Sequence, residues 1–187
     1  MSPLLTTYRI LCLHVLGILT AATLLVGCAS PDVTRYATER PALELDQFFN
    51  GKIIAHGIFQ NRSGEVVRRF TVDMDGKWEG NQGVLDERFT YSDGKTERRI
   101  WRLTKSADGR YTGTADDVAG VASGRTAGNA FQWAYTLKLP VDGTVYEVQF
   151  DDWMYLMDER VMLNRATMSK FGIRLGEVTL SFYKQTP

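Results

Sequence analysis

Residues 131–150 read FQWAYTLKLPVDGTVYEVQF, and this stretch decides the fold. Every second residue from 131 to 139 is apolar, which is the period of a β-strand with one buried face. Asp142-Gly143 has the composition of a two-residue type I′ turn, in which both positions take a positive φ. That turn places Leu137 opposite Val148 and makes the stretch an antiparallel hairpin.

The register of this hairpin sorts its side chains between two faces. One face carries Phe131, Trp133, Tyr135, Leu137 and Leu139, and the other carries Gln132, Ala134, Thr136 and Lys138. Lys138 then lies opposite Glu147, which is a favourable charge pair. A slip of one residue would place Leu137 opposite Glu147, so only one register is favourable. We therefore expect Tyr135 and Leu137 to face a core and Lys138 to face outward.

Short runs rich in β-branched and aromatic residues, separated by Gly, Asp and Asn turns, continue from Gln47 to the end of the chain. Two of them show the same alternation, with Phe70, Val72, Met74 and Trp78 in one and Val178, Leu180 and Phe182 in the other. This pattern predicts an all-β, antiparallel barrel of about eight to ten strands. Helices fit the pattern only near Leu43–Phe49 and within Asp158–Met168.

A second hairpin brings two charged residues into the predicted barrel. Ser92-Asp93-Gly94 suits a three-residue loop, which places Leu85 opposite Trp101 and Glu87 opposite Arg99. Leu85 and Trp101 are core residues by type, so Glu87 and Arg99 should point inward beside them. In a ligand pocket Arg99 would be the partner of an anionic head group, with Glu87 orienting it. The alternative is that both lie near the barrel mouth and reach water.

Aromatic and methionine side chains supply the remaining candidates for ligand contact. A barrel of this size can hold one small ligand, and methionine adapts its shape to varied apolar partners. The full set of candidate ligand-binding residues is Glu87, Arg99, Trp101, Trp133, Tyr135, Met154 and Met157. The alternative for the aromatic and methionine residues is ordinary filling of the core.

The N-terminal segment predicts processing and lipid attachment. Leu25-Val26-Gly27-Cys28 resembles the lipobox of bacterial lipoproteins and follows an uncharged run, Val15–Val26, that is shorter than a bilayer span. We expect a signal peptide over 1–27 and acylation of Cys28, with the acyl chains as the contact with the membrane. An uncleaved anchor helix over 10–26 is the alternative.

Three segments follow from this assignment. Residues 1–27 form the signal peptide, residues 28–45 form the lipidated N-terminus and a tether, and residues 46–187 form one β-barrel domain. Ala29, directly after Cys28, favours the outer membrane by resemblance to the sorting rules of enteric-type bacteria.

Composition excludes several classes of function. Cys12 and Cys28 are the two cysteines, so the segment after Cys28 has no thiol nucleophile and no disulfide. His56 is the one histidine after Cys28, which excludes a zinc site built on several His or Cys ligands. The 22 basic and 22 acidic residues balance, so nucleic-acid binding is not expected. Asp116-Asp117 and Asp151-Asp152 are interpreted as turn and loop residues. No metal, cofactor or catalytic residue is predicted.

Several short segments together resemble one bacterial family. They are Phe48-Phe49-Asn50-Gly51, Tyr91-Ser92-Asp93-Gly94, Ala115-Asp116-Asp117-Val118, Gly128-Asn129-Ala130, the run 151–156 (DDWMYL), Asn164-Arg165 and Lys170-Phe171-Gly172. With them the chain resembles the bacterial lipoproteins of the domain of unknown function 3833 family. The resemblance implies a compact β domain comparable to lipocalin-like barrels. It implies no established activity and no catalytic residues.

These observations combine into one functional expectation and one alternative. We expect a lipoprotein at the periplasmic face of the outer membrane that binds a small apolar or amphipathic ligand and is not an enzyme. The alternative is a non-catalytic envelope scaffold or protein-interaction module whose barrel is filled by its own side chains. An internal cavity would separate the two.

Overall fold

The structure is a computed structural model and describes residues 31–141 and 143–186. Ten strands form a closed antiparallel barrel in which each strand pairs with the next along the chain and the last pairs with the first. The strands are β1 (Gly51–Asn61), β2 (Val66–Glu79), β3 (Gln82–Tyr91), β4 (Thr96–Lys105), β5 (Arg110–Thr114), β6 (Val118–Ala127), β7 (Ala130–Val141), β8 (Thr144–Leu156), β9 (Val161–Lys170) and β10 (Ile173–Lys184). The predicted all-β barrel is confirmed.

The registers of both predicted hairpins are confirmed. Leu137 of β7 pairs with Val148 of β8, as the turn composition predicted. Gly143 has a φ of 78°, while Asp142 lies outside the described residues. Glu87 of β3 pairs with Arg99 of β4. Turn chemistry and apolar alternation therefore placed the side chains of four strands correctly.

The inward faces of the strands form the core. The three alternating sets predicted from the sequence are buried in it or packed against it. Strand β1 closes the barrel against β10, where Ala55 pairs with Phe182 and Phe59 pairs with Val178. Closure leaves no unpaired sheet edge, which removes the usual route to edge-to-edge association.

One end of the barrel is closed by the segment that precedes β1. A short helix, α1 (Leu45–Phe48), lies there, within the range where the sequence predicted a helix, and Leu45, Phe48 and Phe49 are buried. Gly76 of β2 allows the segment before β1 to pack closely against the barrel wall, because a Cβ at that position would come within 1.7 Å of the Phe49 carbonyl oxygen. The strand turns at the opposite end connect β1 to β2, β3 to β4, β5 to β6, β7 to β8 and β9 to β10.

The helix predicted within Asp158–Met168 is wrong. Asp158 begins a turn, in which its carboxylate accepts hydrogen bonds from the backbone N–H groups of Arg160 and Val161 at 2.8 Å. Strand β9 follows, with Met162, Asn164 and Ala166 buried. The alternation of β9 was not recognised in the sequence because one of its inward-facing residues, Asn164, is polar.

The sequence predicted a tether up to residue 45, but the described part of this segment packs on the barrel. A 3-10 helix over Val33–Tyr36 packs on the barrel, with the Tyr36 ring edge-on to Tyr155 at 5.4 Å. Val33 and Leu43 are buried. The division of the chain at 27 and 45 stays a prediction, and Cys28 lies outside the described residues. Within the described ranges, no helix is long and apolar enough to span a bilayer.

Candidate functional site

The barrel contains a cavity of about 1060 Å³. Leu45 and Phe49 line it at the end closed by α1. Val67, Val141 and Leu175 line it at the opposite end and are exposed to solvent, so the mouth of the cavity lies among the strand turns. Most of the wall between these ends is apolar, with Leu85, Phe89, Phe131, Phe150, Met168, Val178 and Leu180 among its side chains.

Six of the seven candidate ligand-binding residues line this cavity. They are Glu87, Arg99, Trp101, Trp133, Tyr135 and Met154. The Trp101 ring lies edge-on to the rings of Trp133 and Tyr135, at 5.7 and 5.5 Å between centroids. Tyr135 stacks on Phe150 at 5.0 Å. The aromatic residues therefore form a continuous wall and leave the space inside unfilled.

Met157 is not part of the cavity wall. Strand β8 ends at Leu156, so the alternation of its side chains between the inner and outer faces of the barrel does not extend to Met157. Its backbone N–H donates to the Val161 carbonyl at 2.9 Å, and its side chain is 55% exposed. Met74 and Met168, which the candidate set omitted, line the cavity instead.

Arg99 has a different principal partner from the one predicted. Its Nε and Nη2 atoms donate to the Asp117 carboxylate at 2.8 and 2.7 Å, while Glu87 lies 3.8 Å from its Nη1 atom. Asp117 belongs to the loop between β5 and β6, whose path the strand pattern did not define. An anionic head group at Arg99 stays a prediction, and it would have to compete with this two-point contact for the guanidinium.

Two further carboxyl groups are buried in the cavity wall. Burial raises the pKa of Glu87 to about 7, although the neighbouring charge of Arg99 acts in the opposite direction. Burial also raises the pKa of Asp152 to about 7, against the effect of a hydrogen bond from Asn164. Glu87 is 8% exposed and Asp152 is 7% exposed. Both carboxyl groups therefore lose their protons at a higher pH than carboxyl groups in water.

Asn164 of β9 carries an unsatisfied acceptor at the same place. Its Nδ2 atom donates to Asp152 and, at 3.2 Å, to the Trp153 carbonyl. Its Oδ1 atom is buried and has no hydrogen-bond partner within the described ranges. The residue is 3% exposed and lines the cavity. A buried acceptor without a partner is costly and indicates that a ligand or water completes the site.

These groups form one connected set, which we call the polar cluster: Glu87, Arg99, Asp117, Tyr135, Asp152 and Asn164. The charges of Asp152, Arg99, Glu87 and Asp117 all act on the Tyr135 hydroxyl, whose pKa burial raises well above its ordinary value. Asp152 and Asn164 were missed as site residues, because Asp151-Asp152 was interpreted as a loop pair. The cluster combines one guanidinium with three carboxyl groups inside an apolar barrel.

The barrel fold has counterparts among solved structures. An S-type phycobiliprotein lyase from Guillardia theta superimposes with a TM-score of 0.57 and 8% identity, over 84% of this chain and 100% of that chain. A protein of unknown function from the DUF3598 family of Nostoc punctiforme superimposes with a TM-score of 0.53 and 11% identity. That match covers 84% of this chain, which spans 53% of the Nostoc protein. At these identities the likeness shows the fold alone.

Sequence comparison identifies the family. No curated protein matches this chain. The model of the family described as protein of unknown function (DUF3833) matches residues 22–184, which includes all ten strands and most of the segments that carried the resemblance. The chain therefore belongs to the DUF3833 family. This member of the family folds as a lipocalin-like barrel.

Proposed function

We propose that this protein binds one small amphipathic molecule inside its barrel and does not act as an enzyme. The observation that carries the proposal is the cavity of about 1060 Å³. Pockets for small molecules measure roughly 300–1,000 Å³ and combine apolar walls with a few polar groups. This cavity has both features, since the polar cluster lies on a wall that is otherwise largely apolar.

The shape of the cavity favours an elongated ligand. The lining extends from Leu45 and Phe49 at the closed end to Val141 and Leu175 at the mouth. The polar cluster lies along this path, and Asp117 belongs to it from the loop between β5 and β6, at the mouth end. An apolar tail would be buried against aromatic and aliphatic side chains, and a polar head would reach the cluster.

We propose in addition that Cys28 carries acyl chains that hold the protein at the periplasmic face of the outer membrane. The resemblance of residues 25–28 to a lipobox supports this assignment. Val33 packs on the barrel five residues after Cys28, so the connection reaches at most ~18 Å. The barrel would then stay close to the membrane surface.

The alternative function, a scaffold with a filled barrel, is less well supported. Interiors packed to ordinary density have few voids larger than a water molecule. Trp101 and Trp133 pack against each other on the wall, and the space beside them is open. A cavity of this volume is an unusual feature for a purely structural module.

A pair of matched variants tests ligand binding in the cavity. Ala166 of β9 lines the cavity, whereas Ala134 of β7 is exposed on the outer face. We expect wild type and Ala134→Phe to bind 1-dodecanol equally in a titration followed by tryptophan fluorescence. Ala166→Phe should bind at least about tenfold more weakly, because its ring occupies the cavity. Equal binding by both variants, or no binding by the wild type, would contradict the proposal.

A further inference from the structure

We infer that the head group accepted by this cavity is a cationic hydrogen-bond donor of the primary ammonium class, held by Asp152 with Asn164 and Glu87. The inference rests on the proposed function and specifies the chemistry of its ligand. It replaces the anionic head group that the sequence suggested for Arg99. Three features of the wall support it: each basic side chain already has an acceptor, the unpartnered atom within the polar cluster is an acceptor, and the charge balance of that cluster is acidic.

Each basic side chain that lines the cavity has at least one acceptor, and the donor left without a partner in the described residues, Arg68 Nε, lies towards the mouth and away from the polar cluster. Arg99 is paired with Asp117. Three others lie towards the mouth, where Arg68 is paired with Asp93, Arg98 with Asp86, and Lys138 donates to the carbonyl of Asp116. An entering carboxylate would have to displace one of these partners. It would also have to lie beside Glu87 and Asp152, which costs affinity through repulsion and desolvation.

Within the polar cluster, the buried side-chain atom left without a partner among the described residues is an acceptor. Asn164 presents its Oδ1 atom, which has no partner. One oxygen of the Asp152 carboxylate accepts from Asn164, beside the unpartnered Asn164 Oδ1 atom. An ammonium group has three N–H donors and no acceptor. It therefore matches a site that offers carboxylate and amide oxygens within one wall.

The charge balance of the polar cluster also favours a cationic head group. Arg99 is shared between Asp117 at 2.7 Å and Glu87 at 3.8 Å, so a single cation faces the three carboxyl groups of the cluster. The charged and titratable groups that act on them are Arg99 of β4, Asp117 of the loop before β6, Tyr135 of β7 and Asp151 of β8. None of these supplies a second positive charge. A bound ammonium would supply it and would favour the ionised carboxylates, so binding should release protons near neutral pH.

Three probes with the same chain length separate the head groups. Dodecylamine, 1-dodecanol and dodecanoate are titrated separately into the full-length protein at pH 7.5, below their aggregation concentrations. We expect dodecylamine to bind at least about tenfold more tightly than dodecanoate, with 1-dodecanol between them. Tighter binding of dodecanoate, or equal binding of the amine and the alcohol, would overturn the inference while leaving the proposed function in place. Failure of all three probes to bind would instead overturn the proposed function.

Matched variants test the role of Asp152. Asp152→Asn should weaken dodecylamine binding at least about tenfold and leave 1-dodecanol binding unchanged. The neighbouring Asp151 faces the other side of β8, where it accepts hydrogen bonds from Gln132 and Trp153, so Asp151→Asn should change neither affinity. Unchanged amine binding in Asp152→Asn would overturn the assignment. If that variant does not fold, Glu87→Gln provides the same comparison, and loss of the amine preference is again the expected result.

Discussion

Arg99 of β4 and Asp117 of the loop between β5 and β6 form a two-point ion pair at 2.7 and 2.8 Å in the cavity wall. The Arg99 side chain is largely buried, and that of Asp117 is partly exposed. This pair decides the polarity of the cavity, because it neutralises the one guanidinium of the polar cluster. Without Asp117, Arg99 would be left with Glu87, at 3.8 Å, as its ionic partner.

Removing the charge of Asp117 should therefore change which head group binds. In Asp117→Asn the Arg99 guanidinium loses the nearer of its two carboxylate partners, so we expect dodecanoate to bind several times more tightly and dodecylamine more weakly. Stability should fall by roughly 1–3 kcal/mol, because a largely buried cation loses a charged acceptor. Asp116→Asn is the control, since Asp116 is exposed beside it. If dodecanoate binding does not rise, Arg99 does not control the polarity of the cavity.

The buried carboxyl groups make stability depend on pH. Asp152 has a folded-state pKa of about 7 against an ordinary value of 3.8, so between these values the folded state holds a proton that the unfolded state has lost. The stabilising contribution is complete below pH ~4 and is lost as the pH rises to ~7. Asp152→Asn should reduce this slope by up to ~1.4 kcal/mol per pH unit.

Urea unfolding at several values between pH 4 and pH 8 measures that slope. Asp151→Asn is the control and should retain most of the wild-type slope, because burial is a larger cause of the raised Asp152 pKa than the Asp151 charge. Glu87→Gln should behave like Asp152→Asn, because burial raises its pKa in the same direction. Identical slopes for the wild type and Asp152→Asn would show that Asp152 is ionised in the folded protein.

Two adjacent residues of β7 test the barrel register. Leu137 is buried, and the adjacent Lys138 is only partly buried, near the mouth of the cavity. Leu137→Ala should destabilise the protein by about 2–5 kcal/mol, towards the lower end because the side chain borders an existing cavity. Lys138→Ala should cost less than about 1 kcal/mol. Denaturant melts that reverse this order would contradict the inward orientation of Leu137.

Phe171 offers a test of the turn between β9 and β10. Its φ is 52° and its side chain is 87% exposed, so an aromatic residue occupies a left-handed conformation without burial. Phe171→Gly should raise stability by up to about 1 kcal/mol, because glycine adopts this conformation without steric cost. The neighbouring Gly172→Ala should destabilise, since Gly172 has a φ of 75°. Loss of stability in Phe171→Gly would indicate a contact made by the ring that outweighs the backbone cost.

Lipid attachment has a direct test at Cys28. Cys28→Ser removes the thiol that the lipobox resemblance identifies as the acylation site. We expect the variant to accumulate as a precursor of full length that takes up no labelled fatty acid in the host cell. Normal cleavage and labelling of the variant would contradict the assignment of the anchor.

Much of the candidate site could be predicted from the turn residues and from the alternation of apolar residues along the strands. The turn at Gly143 places Leu137 opposite Val148, and continuing the same register for four residues places Trp133 opposite Asp152, as observed. The strand pairing alone therefore predicts that Asp152 lies on the inward face. The prediction missed it because the doublet with Asp151 resembled a loop.

Other parts of the site depend on contacts that no local pattern encodes. Asp117 reaches Arg99 from a loop whose path depends on the whole barrel. Asn164 is polar on an inward face and Leu163 is exposed on the outer face, so β9 lacked the expected alternation. Leu43 is buried although its surroundings in sequence are polar, because the segment before β1 packs on a barrel end that forms only in the folded protein.

Native mass spectrometry of the protein extracted from its own host tests the central claim most directly. The account predicts a population whose mass exceeds that of the lipid-modified polypeptide by one small molecule. That added mass should be lost on denaturation and should be absent from Ala166→Phe but present in Ala134→Phe. A single mass equal to the lipid-modified polypeptide, together with no binding of 1-dodecanol by the extracted protein, would contradict the claim that the barrel holds a ligand.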